Sequence, residues 1–152
     1  MKNPKALNLR RYHQKIYFPP NISEMCVEFF SQLRRVGATH HAVAQMHEDK
    51  RGVIPMPSKS DLLHAKNTLV EVYEVLDSRG RPTGIIQKML IRCHNLSESF
   101  DYSYVLAREG FIVSSWANDK GDDHRLTYKY NMYYQPEKNE QDRTTYRKQL
   151  AS

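Results

Sequence analysis

At 152 residues and 39% hydrophobic side chains, the chain can bury one core without disulfides or metal staples, and no apolar run approaches the ~20 residues of a membrane helix. Two cysteines in apolar patterns, without metal spacing, read as buried free thiols of a reducing cytoplasm, and no apolar stretch follows the first five residues to suggest a secretory signal. The net charge of +6 is uneven: residues 1–20 carry +5 with no acid, 21–119 carry −1 and 120–152 carry +2. A basic arm on a near-neutral body either attracts polyanions by counterion release or is a solvated terminus.

Residues 1–21 read as that arm, extended because Pro4, Pro19 and Pro20 oppose helix, with Tyr12, Tyr17 and Phe18 placed to dock it. Ser23 is the expected N-cap of a first helix over 24–36, where Cys26, Phe29, Phe30, Leu33 and Val36 recur at helical spacing until Gly37. Thr39 is placed to cap a second helix over 40–48, with Val43 and Met46 on one face and His40, Ala44 and His47 on an adjacent one. Ser60 to Leu63 suggests a short helical turn after the prolines at 55 and 57.

Four strands follow, at 68–76, 85–93, 100–108 and 111–116. The first two are joined by the turn-rich segment Asp77 to Gly84, and the last two by Glu109-Gly110. In the second strand Ile85, Met89, Ile91 and Cys93 are expected inward and Lys88 and Arg92 outward. In the third, Phe100, Tyr102, Tyr104 and Leu106 share one face, and Asp101, Ser103, Val105 and Ala107 the other. The expected fold is α+β: two N-terminal helices packed on a four-stranded antiparallel meander. The expected boundaries are a basic N-terminal arm at 1–21, a single domain at 22–127 and a polar, tyrosine-rich C-terminal tail at 128–152.

That order of elements resembles the RelE/ParE-like endoribonuclease and toxin superfamily, which takes in colicin-type and barnase-like small RNases. The segment His40 to Met46, followed by Lys50-Arg51-Gly52-Val53, resembles the superfamily's "His-Ala-x-x-x-Met … Arg-Gly-(Ile/Val)" helix signature. Gly110 to Trp116 resembles its closing "Gly-x-Ile-Val-Thr-x-(Trp/Tyr)" strand, with Ser114 where Thr is common. Met89 to Arg92 resembles the middle strand that presents an arginine. The resemblance covers about residues 39–118. The long 53–67 loop, the arm and the tyrosine tail depart from it and suit a phage or mobile-element member.

What the resemblance implies is metal-independent RNA cleavage with no cofactor. Such cleavage needs a base for the 2′-hydroxyl, an acid for the leaving 5′-oxygen and fixed positive charge on the phosphate. His40 or His124 would transfer protons, Arg51 and Arg92 would clamp the phosphate, and Ser114 would orient it. Lys50, Lys88, Trp116, Arg10, Arg11 and Lys15 complete the expected nucleic-acid contacts. RNA, free or on the ribosome, is the implied partner, and no membrane is expected. Two other readings stay open. One is a non-catalytic phage or mobile-element protein that binds a host protein or nucleic acid. The other is a metal-dependent nuclease using Asp119, Asp122 and Asp123. His40 and His47, two turns and roughly 10 Å apart, are too distant for one zinc ion.

Overall fold

The computed structural model describes residues 8–13, 18–94 and 99–122. These described residues form a six-stranded mixed sheet with three helices, and this corrects the expected two helices on a four-stranded meander. The strands are β1 (Leu9–His13), β2 (Gly37–Ala38), β3 (Thr68–Leu76), β4 (Pro82–Cys93), β5 (Phe100–Ala107) and β6 (Phe111–Asp119). Their order across the sheet is β1-β3-β4-β5-β6-β2, with every pairing antiparallel except β2 on β6. The two added strands account for the difference. Within the expected arm, β1 lies along β3, and after the first helix the chain turns back to pair two residues with the start of β6.

Turn chemistry fixes the hairpins. Asp77 Oδ1 accepts the amides of Arg79 and Arg81 at 2.8 and 2.9 Å, and Gly80 takes φ 77°, a left-handed value that favours glycine. At the β5–β6 turn Gly110 has φ 94°, and a Cβ there would lie 2.5 Å from the Arg35 carbonyl oxygen. The same glycine's carbonyl accepts the Gly37 amide at 2.8 Å, which pins β2 beside β6.

Helix α1 (Ile22–Gln32) begins one residue before the expected cap Ser23 and ends four before Val36, because Leu33 already has extended backbone and leads the chain toward β2. It buries Ile22, Met25, Cys26, Phe29 and Phe30 against the sheet, chiefly on β4. Helix α2 (His40–Glu48) is capped by Thr39, whose hydroxyl accepts the Ala42 amide at 3.1 Å. It turns Ala42 and Met46 into the core and leaves Val43 exposed, so the buried stripe is rotated from the expected Val43–Met46 face. The rotation lets α2 finish the sheet edge. Beyond β2 the next outward amides of β6 have no strand to meet, and Gln45 Oε1 and Asp49 Oδ2 accept those of Ser115 and Ala117 at 2.9 and 3.2 Å. Helix α3 (Lys59–Leu62) carries a Ser58/Asp61 capping box.

All three helices pack on one face of the sheet. The core there includes Leu69, Val72, Ile86, Met89, Ile91, Tyr104, Leu106 and Ile112. The opposite face has no helix on it among the described residues. No described helix is long and apolar enough to cross a membrane.

Candidate functional site on the open sheet face

Strand registers assign side chains to the face without a described helix in rows about 7 Å apart, two residues along each strand, and Thr68, Glu71, Leu90, Arg92 and Ser103 are buried there. Thr68, Arg92, Ser103 and Trp116 are aligned in one row. Glu71, Leu90, Val105 and Ser114 form the next, then Tyr73, Lys88 and Ala107, with Arg11 of β1 opposite Tyr73. The later rows enclose a concavity of about 380 Å³ bordered by Glu71, Tyr73, Lys88, Val113, Ser114 and Trp116. The Lys88 ammonium sits 4.5 Å from the centre of the Tyr73 ring, a cation–π arrangement. At the β1 rim the Arg11 guanidinium pairs with Glu71, a bond that raises its pKa further above the ordinary arginine value.

The other end of this face holds a buried polar network. Arg92 Nε donates to Asp101 Oδ2 at 2.8 Å, and both side chains are only 3% exposed. The two remaining arginine nitrogens donate to backbone carbonyls, Nη1 to Asp122 at 2.7 Å and Nη2 to Asp119 at 3.1 Å. Lys120 Nζ lies 3.3 Å from Asp101 Oδ1. His94, which follows β4, places Nδ1 2.8 Å from Asp101 Oδ2 and Nε2 2.8 Å from the Thr68 hydroxyl. A carboxylate can only accept, so Nδ1 carries the proton. In the neutral ring Nε2 is then the lone-pair acceptor, and Thr68 donates to it. A hydroxyl, an imidazole and an orienting carboxylate in this sequence form the arrangement that prepares a ring nitrogen to take a proton. Thr68 is 2% exposed and the His94 side chain 22%.

The residues expected from the sequence divide between the two faces. Lys88, Ser114 and Trp116 gather in the concavity, with Arg11 on its rim. Arg92 shares their face, but its guanidinium is bound by Asp101 and two carbonyls. His40 is exposed at the start of α2, on the helical side, so the sheet separates it from Arg92. Lys50 is exposed just after α2, and Arg51 Nε pairs with Asp119 Oδ1 at 3.3 Å. Arg10 lies at the β1 edge with its guanidinium 5.1 Å from the Tyr12 ring centre. Lys15, His124 and Asp123 lie outside the described residues. Among the described residues no three His, Cys, Asp or Glu side chains gather to hold a metal ion.

Sequence reasoning missed Thr68, His94 and Asp101. The one signal was Asp101 itself, a charged residue on a strand face otherwise occupied by Ser103, Val105 and Ala107, two residues out of register with Arg92. No family model matches the chain, and no match is found among curated proteins or solved structures.

Proposed function

We propose that this protein binds single-stranded RNA on the open face of its sheet and cleaves it without a metal ion. The observation that carries this reading is the pairing, on one face, of a concavity lined by Tyr73, Trp116, Lys88 and Glu71 with a histidine held between a hydroxyl and a carboxylate. Trp116 and Tyr73, one face of which carries Lys88, bring aromatic surface for base stacking, and Lys88 and the Glu71-paired Arg11 bring charge near the backbone. The +5 charge of residues 1–20 favours a polyanion alongside this face.

In the proposed step the 2′-hydroxyl displaces Thr68 from His94 and gives its proton to Nε2. The freed oxygen attacks phosphorus, and a 2′,3′-cyclic phosphate forms. The bond from phosphorus to the 5′-oxygen breaks, and that oxygen takes a proton from solvent water. The imidazolium, stabilised by Asp101, then returns its proton to water. His94 thus takes the part expected of His40, and Arg92 serves as the residue that fixes Asp101.

A second reading is binding without cleavage. It is favoured by the near-complete burial of Thr68, which holds the reactive nitrogen. Incubating the protein with RNA in EDTA and analysing the ends separates the two. Fragments ending in cyclic phosphate support cleavage. Retention of intact RNA on the protein supports binding alone, and RNA that is neither cleaved nor retained discards both readings.

A further inference from the structure

Glu74 is a buried carboxylate with no cation beside it among the described residues. Its residue is 2% exposed, and its two oxygens accept from neutral donors, the Tyr12 hydroxyl at 3.0 Å on Oε1 and the Gly84 amide at 2.8 Å on Oε2. No lysine, arginine or histidine pairs with it among the described residues. Arg10, its register partner on β1, lays its guanidinium over the Tyr12 ring instead. A buried carboxylate without a counter-charge is costly, and most such groups in proteins are paired. The backbone also bends to aim this one: the β3–β4 register slips on both sides of Glu74, between Tyr73 and Glu74 and between Glu74 and Leu76. Paired irregularities of this kind re-aim a side chain and are frequent beside functional sites.

Glu74 opens onto a cleft of about 580 Å³ between β1, the start of α1 and the β3–β4 hairpin. Tyr12, Phe18, Pro19, Pro20 and Pro82 give it two aromatic and three proline rings around one acid, and the neutral residues Asn21, Thr83 and Gly84 complete the lining. That lining excludes anions and suits a cation with an alkyl body, since ring faces and proline surfaces accept CH₂ groups and the carboxylate has unused lone pairs for N–H donors. We propose that this cleft binds an alkylammonium group, with Glu74 as its counter-ion. The group is either a small free amine or a lysine side chain of another protein. The site lies at the β3–β4 hairpin end, apart from the open-face concavity, and does not depend on the RNA reading.

The test uses the full chain without RNA and follows the Gly84 amide by NMR, because that N–H donates to the same carboxylate. Putrescine probes a free amine, and Nα-acetyl-lysine amide probes a protein side chain. The expected result is a saturable Gly84 shift with at least one of them at millimolar concentration. Tighter binding of putrescine assigns the site to free amines, and tighter binding of the lysine amide assigns it to a protein partner. Glu74→Gln should weaken binding by about tenfold or more while unfolding no more easily than wild type, since it removes an uncompensated buried charge. Tyr12→Phe removes one donor from the carboxylate and should bind the amine at least as tightly, which keeps a readout if Glu74→Gln fails to fold. The proposal is overturned if neither probe moves Gly84 in a saturable way, or if Glu74→Gln binds like wild type. It is also overturned if Arg10→Ala binds about tenfold more tightly than wild type, because Arg10 would then be the natural counter-ion.

Discussion

Arg92 and Asp101 meet across β4 and β5 in a 2.8 Å bond from which water is almost wholly excluded. The pair joins the sheet to the chain that leaves β6, because the same guanidinium holds the carbonyls of Asp119 and Asp122. The carboxylate meanwhile orients His94. One ion pair therefore sets both the shape of this end of the face and the orientation of the His94 ring that meets Thr68.

Removing one partner of a buried pair strands the other. Arg92→Ala should destabilise the fold by about 3–5 kcal/mol, since Asp101 would lose its arginine and keep, among the described residues, Lys120 and His94. Urea denaturation measures this directly. A loss under about 1 kcal/mol would mean that the network opens to water.

On the concavity, Lys88→Ala should weaken RNA binding and lower the slope of log affinity against log salt by about one phosphate contact. Trp116→Ala should weaken binding by about 1–3 kcal/mol, as expected for a lost stacking platform, with a smaller change in the salt slope. Titrations at several salt concentrations separate charge from stacking. Equal slopes for the wild type and Lys88→Ala would remove Lys88 from the interface.

The two thiols should be silent in the folded protein. Burial raises the pKa of Cys26 and of Cys93 well above the ordinary thiol range, and both side chains are fully enclosed. A thiol reagent at pH 8 should label neither in native conditions and both in denaturant. Rapid native labelling of either would show that the core opens locally.

Two tyrosines should make the fold alkali-sensitive. Burial raises the Tyr104 phenol far above its ordinary value. Burial first, and then the bond to Glu74, raises Tyr12. In the unfolded chain both ionise near pH 10, while in the folded protein they keep their protons. Above about pH 10 the unfolded state binds fewer protons, so stability falls as pH rises from there toward the folded values. Urea midpoints at pH 8 and pH 11 check the sign. Tyr104→Phe should show a shallower fall, although it also loses the bond to the Pro55 carbonyl.

Local pattern was legible where one face of an element is apolar. Thr68–Leu76 and His40–Glu48 have the bounds that alternation, capping and turn residues suggest, and β5 differs from its expected span by one residue. The architecture drawn from those elements was not the observed one, because β1 and β2 carry no pattern of their own. Leu-Arg-Arg-Tyr-His is polar, and its strand conformation comes from pairing with β3. The two residues of β2 are held by Gly110. Arg92 was expected on the solvated side. It is on that side but buried, since an acid two residues out of register cannot be read as its partner from one strand at a time. The histidine signature on α2 lies on the helical side of the sheet, whereas His94 lies in no regular element and has no motif around it.

The most direct test of the account compares wild type with His94→Ala for both RNA binding and single-turnover cleavage in EDTA. The variant is expected to bind RNA as wild type does and to cleave it about 10²-fold or more slowly, as for loss of a general base. A His94→Ala protein that cleaves at the wild-type rate, or a wild type that binds RNA and leaves it intact, would contradict it.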